Sequence, residues 1–423
     1  MEDKKINVGI GFATGRKSFQ RVLKNYMYSF MESGLTDLDT VGINVFVAYD
    51  LKYSNTQRSD YTNISKHVAD LIDEVYFIGN KIIQNDIHTL VSRDVIDEQS
   101  ADILFGSGYA GKRNAVLFNA MKHGTDYLLF LDDDEYPLAV THTRAYAVWS
   151  GQQVLKTHLR NIQYADITNG YHCGYVSPIP LIEYNDKLKE EDFRTFIEAI
   201  SNDILNWNTI KYVMERGGVS YSDTNVLISE DPLLVHEKSG AKFISGANLC
   251  INLTDPERLF PFYNPPGARG EDTFLSTLLG DRTVLRVPCY TFHDGFSTYQ
   301  HIMDGVLPTQ LSAVTAQEEI VVSRFYKACI GWIRYKPLFL YITDRENYED
   351  RIAEMREKLA QTLPKVCAYF DKPEFMKVLS ELEKYNKNVR SHLDEFQKAQ
   401  QAWSNICRYL KTEGGDLSET PHE

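Results

Sequence analysis

The sequence of 423 residues has few cysteines and no long apolar run. Its six cysteines are scattered without a CxxC pair, which favours reduced thiols in a cytoplasmic protein over a disulfide framework or a zinc site. Nowhere do about 18 apolar residues follow one another without a charge, so we expect no membrane span. The first residues also lack the apolar region of a signal peptide. These absences together predict a cytoplasmic protein.

The chain has fewer basic than acidic residues. Acidic residues outnumber them by 58 to 45, which gives a formal net charge of -13. A nucleic-acid partner would need a basic surface for its phosphates, so we expect none. Hydrophobic residues make up 43% of the chain and charged residues 24%, as in an ordinary globular protein, and the length allows two or three domains.

The most informative stretch is an apolar run that ends in acids. Residues 128–131 (LLFL) are followed directly by residues 132–135 (DDDE). A short apolar run is typical of a buried strand, and here it predicts a central strand of a parallel sheet. Adjacent carboxylates repel each other, and Mg²⁺ or Mn²⁺ with a phosphate-bearing ligand would relieve that repulsion. Ligands of open α/β sheets collect at this end of the strands. A solvated acidic loop is the alternative.

Strand and helix patterns alternate through the first 140 or so residues. Residues 6–12, 43–49 and 75–78 have strand patterns, and apolar residues at i, i+3 and i+4 predict a helix after Lys17. The helix before the acidic strand is predicted to end with Gly124 in the C′ position. Alternation with short links predicts an α/β fold class, in which a Rossmann-like, mostly parallel sheet is flanked by helices.

Several later segments have weaker patterns. Residues 64–72 have helical spacing, residues 146–184 are predicted to be rich in strands, and residues 242–251 to form a strand, a loop and a second strand. After Leu307 the sequence changes to long helical stretches rich in Glu and Lys. Residues 324–342 mix aromatic and basic side chains, which favours a helix buried against the rest of the protein over a helix on a membrane surface.

These changes of character predict three parts. The predicted boundaries are 1–306 for a sheet domain with halves 1–137 and 138–306, 307–411 for a helical region, and 412–423 for a disordered polar tail.

Four further motifs surround the acids. Upstream, an Arg-Asn pair at residues 113–114 opens a helix after a glycine-containing turn; downstream lie residues 245–248 (SGAN), the Glu-Asp pair at 271–272, and His293. In these motifs and their order the sequence resembles the GT-A glycosyltransferases, in particular the family-2 type that uses nucleotide sugars. The resemblance extends from the first strand to His293, about two-thirds of the chain. It implies a GT-A type of sheet.

The resemblance also implies roles for the acids. Asp134 would bind the metal, Mn²⁺ or Mg²⁺, that bridges the donor diphosphate, and Asp132 would face the ribose or bind through water. Asp133 is placed with the nucleotide-binding residues. It and Glu135 exceed the needs of the motif, and the alternatives are a solvated position or a position that supports the binding residues without touching the ligand. His293 matches the late metal-ligand histidine of the family, and a structural histidine is the alternative.

The nucleotide-binding residues come from four places. The resemblance places Arg113 near the nucleotide, with a surface salt bridge as the alternative, and Asp50 against the nucleobase. Ala13 and Thr14 would form the loop beside the base, although this first turn departs from the commonest family pattern and leaves the base open. Gly246 would let the backbone approach the donor sugar.

Asp272 is the candidate catalytic residue. In inverting members of the family, the acid at this place is the general base that deprotonates the acceptor hydroxyl. An acid that caps a helix N-terminus is the alternative, and the two roles are compatible. The Asp-Thr pair at residues 272–273 and the helical C-terminal region are also similar to those of the retaining mannosylglycerate-synthase-like enzymes. Inversion is therefore the prediction, and retention stays open.

The leading hypothesis is a metal-dependent glycosyltransferase that uses a nucleotide-sugar donor and a hydroxyl-bearing acceptor, either a saccharide or a small molecule. A non-catalytic nucleotide-sugar-binding scaffold with the same fold is the first alternative. A nucleotidyltransferase, which would release pyrophosphate, is the second, although its Gly-Gly-x-Gly signature is missing. Peripheral membrane contact and a homo-oligomer both stay open.

Overall fold

The computed structural model describes residues 5–143, 145–201 and 207–413. Within these ranges the chain has a mixed α/β fold with a large, mainly parallel sheet, flanking helices and a helical C-terminal region. The predicted α/β class with a Rossmann-like sheet is confirmed. The predicted disordered tail, residues 412–423, is wrong for its first two residues, which are the end of the last helix, and the rest lies outside the described residues.

The elements of the described ranges follow in chain order. The strands are β1 (Ile6–Thr14), β2 (Val41–Tyr49), β3 (Glu74–Ile78), β4 (Tyr127–Leu131), β5 (Glu135–Tyr136), β6 (Leu138–His142), β7 (Ala147–Gly151), β8 (Ile167–Gly174), β9 (Leu233–Leu234), β10 (Leu249–Asn252) and β11 (Val284–His293). The helices are α1 (Phe19–Glu32), α2 (Ser59–Thr62), α3 (Lys66–Ala69), α4 (Asn80–Ser92), α5 (Glu98–Phe105), α6 (Tyr109–Lys122), α7 (Val154–Ile162), α8 (Glu190–Ile200), α9 (Trp207–Met214), α10 (Thr224–Ile228), α11 (Glu271–Ser276), α12 (Glu319–Thr343), α13 (Tyr348–Phe370), α14 (Lys377–Lys387) and α15 (Val389–Glu413).

The main sheet places the acids at its centre. Its strand order is β3-β2-β1-β4-β10-β8-β11-β5, with β9 paired to β11. Strand β1 pairs in parallel with β2 and β4, so the carboxyl ends of these three strands meet at one edge. Strand β10 runs antiparallel between β4 and β8. Residues 128–131 are fully buried, which confirms the predicted central strand.

Small residues let helix α6 pack closely against the sheet. A Cβ atom at Gly11 in β1 would lie 2.7 Å from a methyl group of Val116 in α6, so a side chain there would force the helix or Val116 to move. At the other end of α6, Gly124 has a φ of +66°, a left-handed conformation that glycine adopts without a steric penalty. The predicted C′ position of Gly124 is confirmed. Four residues separate the end of α6 from the start of β4.

Three local predictions are wrong in whole or in part. The segment 146–184, predicted to be rich in strands, does contain β7 and β8, but helix α7 lies between them, and its apolar residues are buried at helical spacing: Val154, Leu155 and Ile162. Within residues 64–72 the helix is only the single turn α3. The apolar residues on either side of it lie outside the helix and pack against the core from there. In residues 242–251 the strand begins only at Leu249, since the preceding residues turn to meet Arg113 and Asp272.

The helical C-terminal region shares its core with the sheet domain. The ring of Phe325 in α12 has its centroid 6.0 Å from that of Phe193 in α8 and 5.7 Å from that of Phe375. Apolar side chains are buried along α12, which confirms the buried helix predicted for residues 324–342. One hydrophobic core therefore extends across the predicted boundary at residue 306.

No helix in the described part of the chain is long and apolar enough to cross a membrane.

Candidate active site

A cavity of about 1040 Å³ opens at the edge where β1 and β4 end. Its walls come from the loop after β1, the acids after β4, the start of α11, the end of β11 and one face of α12. Seven of the predicted site residues line it: Ala13, Arg113, Asp132, Asp133, Asp134, Asp272 and His293. Residues that are up to 280 positions apart in the sequence are thus brought to one space.

The other three predicted residues, Thr14, Asp50 and Gly246, do not line the cavity. The Thr14 hydroxyl donates a hydrogen bond to Asp133 at 2.5 Å. The Gly246 carbonyl accepts one from Arg113. The side chain of Asp50 accepts a hydrogen bond from the backbone N–H of Lys52 at 2.9 Å, which closes a turn beside β1. Thr14 and Gly246 therefore position side chains of the cavity, and the predicted contacts of all three with a nucleotide stay predictions.

Arg16, which the sequence analysis did not select, neutralises two of the acids. Its Nη1 lies 2.8 Å from Oδ1 of Asp133 and 2.6 Å from Oδ2 of Asp134. Burial by itself raises the pKa of Asp134, but His293 and Arg16 together hold that pKa below its ordinary value. The sequence analysis did not find Arg16, because only the pairing of β1 with β4 brings the residue after β1 to the acids after β4.

The two extra acids of the DDDE run are buried. Asp133 and Glu135 are only 7% and 4% exposed, so the alternative of solvated side chains is wrong for both. Glu135 contacts residues other than Arg16. It accepts a hydrogen bond from Thr291 at 2.7 Å and lies 3.1 Å from Nδ1 of His172. Burial raises the pKa of Glu135, but His172 lowers it below the ordinary value, so this acid is an ionised structural group.

Asp134 and His293 are oriented as a pair of metal ligands would be. Nδ1 of His293 lies 2.8 Å from the carbonyl of Tyr175, which turns Nε2 toward Oδ2 of Asp134 at 3.4 Å. Burial lowers the pKa of His293, but Asp134 raises it to about 9, so the imidazole is a cation at neutral pH. Its proton would have to leave before a metal binds.

Few protein ligands are available for a metal. Among the described residues no group of three His, Cys, Asp or Glu side chains is arranged to hold one. Mg²⁺ is commonly held by one or two carboxylates together with substrate phosphates. The Asp134–His293 pair could hold a divalent cation only if a ligand such as a diphosphate supplied the remaining oxygen atoms, and Arg16 already contacts the same carboxylate oxygen.

Arg113 joins the acids of β4 to those of α11. Its side chain is only 3% exposed, so the alternative of a surface salt bridge is wrong. Nη2 donates a hydrogen bond to Oδ1 of Asp132 at 2.9 Å, and Nε lies 3.4 Å from Oε1 of Glu271. The guanidinium lies over the ring of Phe130, with Cζ 5.3 Å from the ring centroid. Burial raises the pKa of Asp132 to about 7 although Arg113 opposes that rise. Arg113 therefore fixes the position of Asp132 at the cavity wall.

Asp272 is held by two backbone donors at the start of α11. Its Oδ1 accepts from the N–H of Thr273 at 2.8 Å, and its Oδ2 accepts from the N–H of Gly246 at 3.1 Å. Burial, followed by the like charge of Glu271, raises the pKa of Asp272 to about 6. A carboxylate with this pKa is ionised at neutral pH and is a stronger base than an ordinary aspartate.

One wall of the cavity is basic and comes from outside the predicted site. Arg269 precedes α11, and Arg324 and Lys327 project from α12 into the same space. Trp332 and Tyr335, further along α12, add aromatic surface. The sequence analysis missed the four residues of α12 because this helix lies beyond the motifs of the resemblance, and only its packing brings them to the acids.

Two tyrosines lie at the mouth near the end of β1. The ring centroids of Tyr53 and Tyr109 are 6.3 Å apart at an interplanar angle of 73°. Tyr53 packs so closely over Gly15 that a side chain at that glycine would overlap it. Both tyrosines line the cavity, and their ring faces are suited to stacking against a planar ligand group.

Neither a protein-family model nor a curated protein sequence matches this chain. Among solved structures, mouse xyloside xylosyltransferase 1 in its apo form is similar over 59% of this chain and 68% of that chain, with 11% sequence identity and a TM-score of 0.23. A similarity of that size does not decide a function, and the chemistry of the site rests on its own residues.

Proposed function

We propose that this protein is a metal-dependent glycosyltransferase, which moves a sugar from a nucleotide-sugar donor to an acceptor hydroxyl. The observation that carries the proposal is a convergence in one cavity. The Asp134–His293 pair, suited to a metal-bound diphosphate, opens into the same space as Asp272, a carboxylate suited to be a general base. Arg113 links the two groups through Asp132 and Glu271.

The donor side is formed by residues at the ends of β1 and β4. Asp134 and His293 would hold Mn²⁺ or Mg²⁺, which neutralises charge on the departing diphosphate when bound. Asp132, oriented by Arg113, faces the ribose. Ala13, Thr14 and Asp50 lie near the base, and the rings of Tyr53 and Tyr109 offer it a stacking surface.

The acceptor side centres on Asp272. The acceptor hydroxyl oxygen attacks the anomeric carbon of the donor sugar and forms the new C–O bond. The bond between that carbon and the diphosphate oxygen breaks, and its electron pair leaves with the nucleoside diphosphate. The hydroxyl proton passes to Asp272, whose pKa of about 6 suits it to accept a proton near neutral pH. This arrangement inverts the anomeric centre.

Ligand screening with Mn²⁺ tests the proposal. A nucleotide sugar that binds the folded protein raises its melting temperature, so one member of a donor panel should stabilise the protein only when the metal is present. The stabilising donor should then release a nucleoside diphosphate when acceptors are supplied. No stabilisation by any nucleotide sugar would contradict the proposal. Release of pyrophosphate would favour a nucleotidyltransferase, and binding without turnover would favour a scaffold.

The anomeric configuration of the product decides the stereochemistry. Proton NMR of the product should show the configuration opposite to that of the donor. A product with the donor's own configuration would instead identify a retaining enzyme.

A further inference from the structure

Helix α12 carries an arginine that enters the catalytic cavity without a carboxylate partner. Nη1 of Arg324 is buried and has no hydrogen-bond partner among the described residues. Its guanidinium lies over the face of an aromatic ring, with Cζ 4.1 Å from the ring centroid of Phe296. A buried donor that is left unpaired costs free energy, so the protein keeps this group at a cost to its stability.

The backbone opposite Arg324 is shaped to leave room for the guanidinium. Gly295 lies two residues after His293, and any side chain at Gly295 would overlap both terminal nitrogens of Arg324. The charged groups that act most strongly on Arg324 are Asp134 and Arg16. The guanidinium therefore lies beside the Asp134–His293 pair, at the end of the cavity where the donor diphosphate is proposed to bind.

Arg324 keeps its charge in this position. Burial lowers its pKa, to about 10, and at neutral pH the side chain is still a cation. Arg324 is thus a buried cation with an unused N–H donor beside the proposed diphosphate site. A phosphate oxygen would accept a hydrogen bond from that donor and balance its charge.

We propose that Arg324 binds the diphosphate of the nucleotide donor, so that α12 of the C-terminal region completes the catalytic site. This inference rests on the proposed function for the identity of its ligand. The planar fork of the guanidinium donates to phosphate oxygens, and negative charge increases on those oxygens as the bond to the sugar breaks. Arg324 thus assists departure of the nucleoside diphosphate, together with Arg16, which contacts Asp134 directly.

Titration calorimetry with UDP and with GDP, each with Mn²⁺, tests the inference on the full-length protein. Arg324→Gln should weaken binding of the nucleoside diphosphate about 10- to 100-fold, the equivalent of one or two lost charge-assisted hydrogen bonds. The loss should be smaller for UMP or GMP, which lack the second phosphate. Arg324→Lys, which keeps the charge but not the fork, should fall between the wild type and the Gln variant.

The matched control is Arg356→Gln, which removes the same charge from an exposed ion pair with Glu383 outside the cavity. It should leave nucleotide affinity unchanged. Equal affinity of the wild type and Arg324→Gln for the diphosphate, or an equal loss in Arg356→Gln, would overturn the inference. If Arg324→Gln does not fold, Arg324→Lys is compared with the wild type instead. Equal affinity of these two proteins for the nucleoside diphosphate would then overturn the inference.

Inorganic pyrophosphate with Mn²⁺ separates the two proposals. If the wild type binds pyrophosphate but neither nucleotide, and Arg324→Gln loses that binding, the donor proposal fails for these bases and the diphosphate role of Arg324 stands. If the wild type binds none of the three ligands, both proposals are overturned.

Discussion

Arg16 and Asp134 form an ion pair at the centre of the candidate site, with Nη1 2.6 Å from Oδ2. The same carboxylate faces His293 at 3.4 Å. Arg16 thus occupies one side of the carboxylate that a divalent metal would use. The proposed function requires that a metal bound together with the donor diphosphate compete successfully with this guanidinium.

Arg16→Gln should therefore tighten the binding of Mn²⁺ to the ligand-free protein several-fold, because Asp133 and Asp134 lose a competing cation. Calorimetric titration with Mn²⁺ in the absence of nucleotide measures the change. The control is Arg21→Gln, which removes the same charge from an exposed pair with Asp304. Unchanged Mn²⁺ affinity in Arg16→Gln would show that Arg16 does not occupy the metal position.

Asp134→Asn should abolish Mn²⁺-dependent binding of the nucleotide, since a neutral amide is a poor ligand for a hard cation. The substitution keeps the side-chain volume, which limits its effect on packing. Titration with nucleotide in the presence and in the absence of Mn²⁺ measures the effect. Asp304→Asn, on an exposed side chain, is the control and should bind normally. If Asp134→Asn binds the nucleotide in the presence of Mn²⁺ as tightly as the wild type does, Asp134 is not a metal ligand.

Asp272→Asn should lower turnover by about 10²–10⁴-fold, the usual contribution of a general base. Donor binding should stay close to normal, because the proposed contacts of the donor lie on Asp134, His293 and Arg324. Measurement of kcat together with the dissociation constant of the nucleoside diphosphate separates these effects. A fall in affinity with an unchanged kcat would assign Asp272 to binding and leave the reaction without its base.

The rate should depend on the ionisation of Asp272. Its pKa is raised to about 6, and the base form is the carboxylate. Activity that is limited by this group therefore falls as the pH decreases through about 6, a higher value than for an ordinary aspartate. The acid limb of the profile of kcat/KM against pH measures it. A profile that stays flat down to the ordinary aspartate range would contradict the assignment of the base.

Arg113→Gln should destabilise the protein by about 3 kcal/mol, because its loss leaves Asp132 and Glu271 without their nearby cation. The melting temperature should fall measurably in a thermal unfolding scan. Arg356→Gln breaks an exposed ion pair and should cost only about 0–1 kcal/mol. Equal melting temperatures for the two variants would show that the buried network is not a structural element.

Local patterns were sufficient to predict the sheet edge and its acids. The apolar run 128–131 is buried at the centre of the sheet because a strand covered on both faces requires continuous apolar residues. Gly124 ends α6 because glycine tolerates a positive φ. The sequence predicts strand where α7 forms because β-branched and aromatic residues surround its short apolar face. A helix of nine residues is also too short to show a clear helical period in the sequence.

The sequence by itself determined which elements form and which acids follow the central strand, since both depend on neighbours within a few residues. Only the tertiary structure decided which charges meet. Arg16 contacts Asp134 because β1 and β4 are adjacent in the sheet, and Arg324 enters the cavity because α12 packs across a core shared with the sheet domain. Such contacts join residues more than a hundred positions apart, so they depend on how faces pack, and no local pattern of residues encodes them.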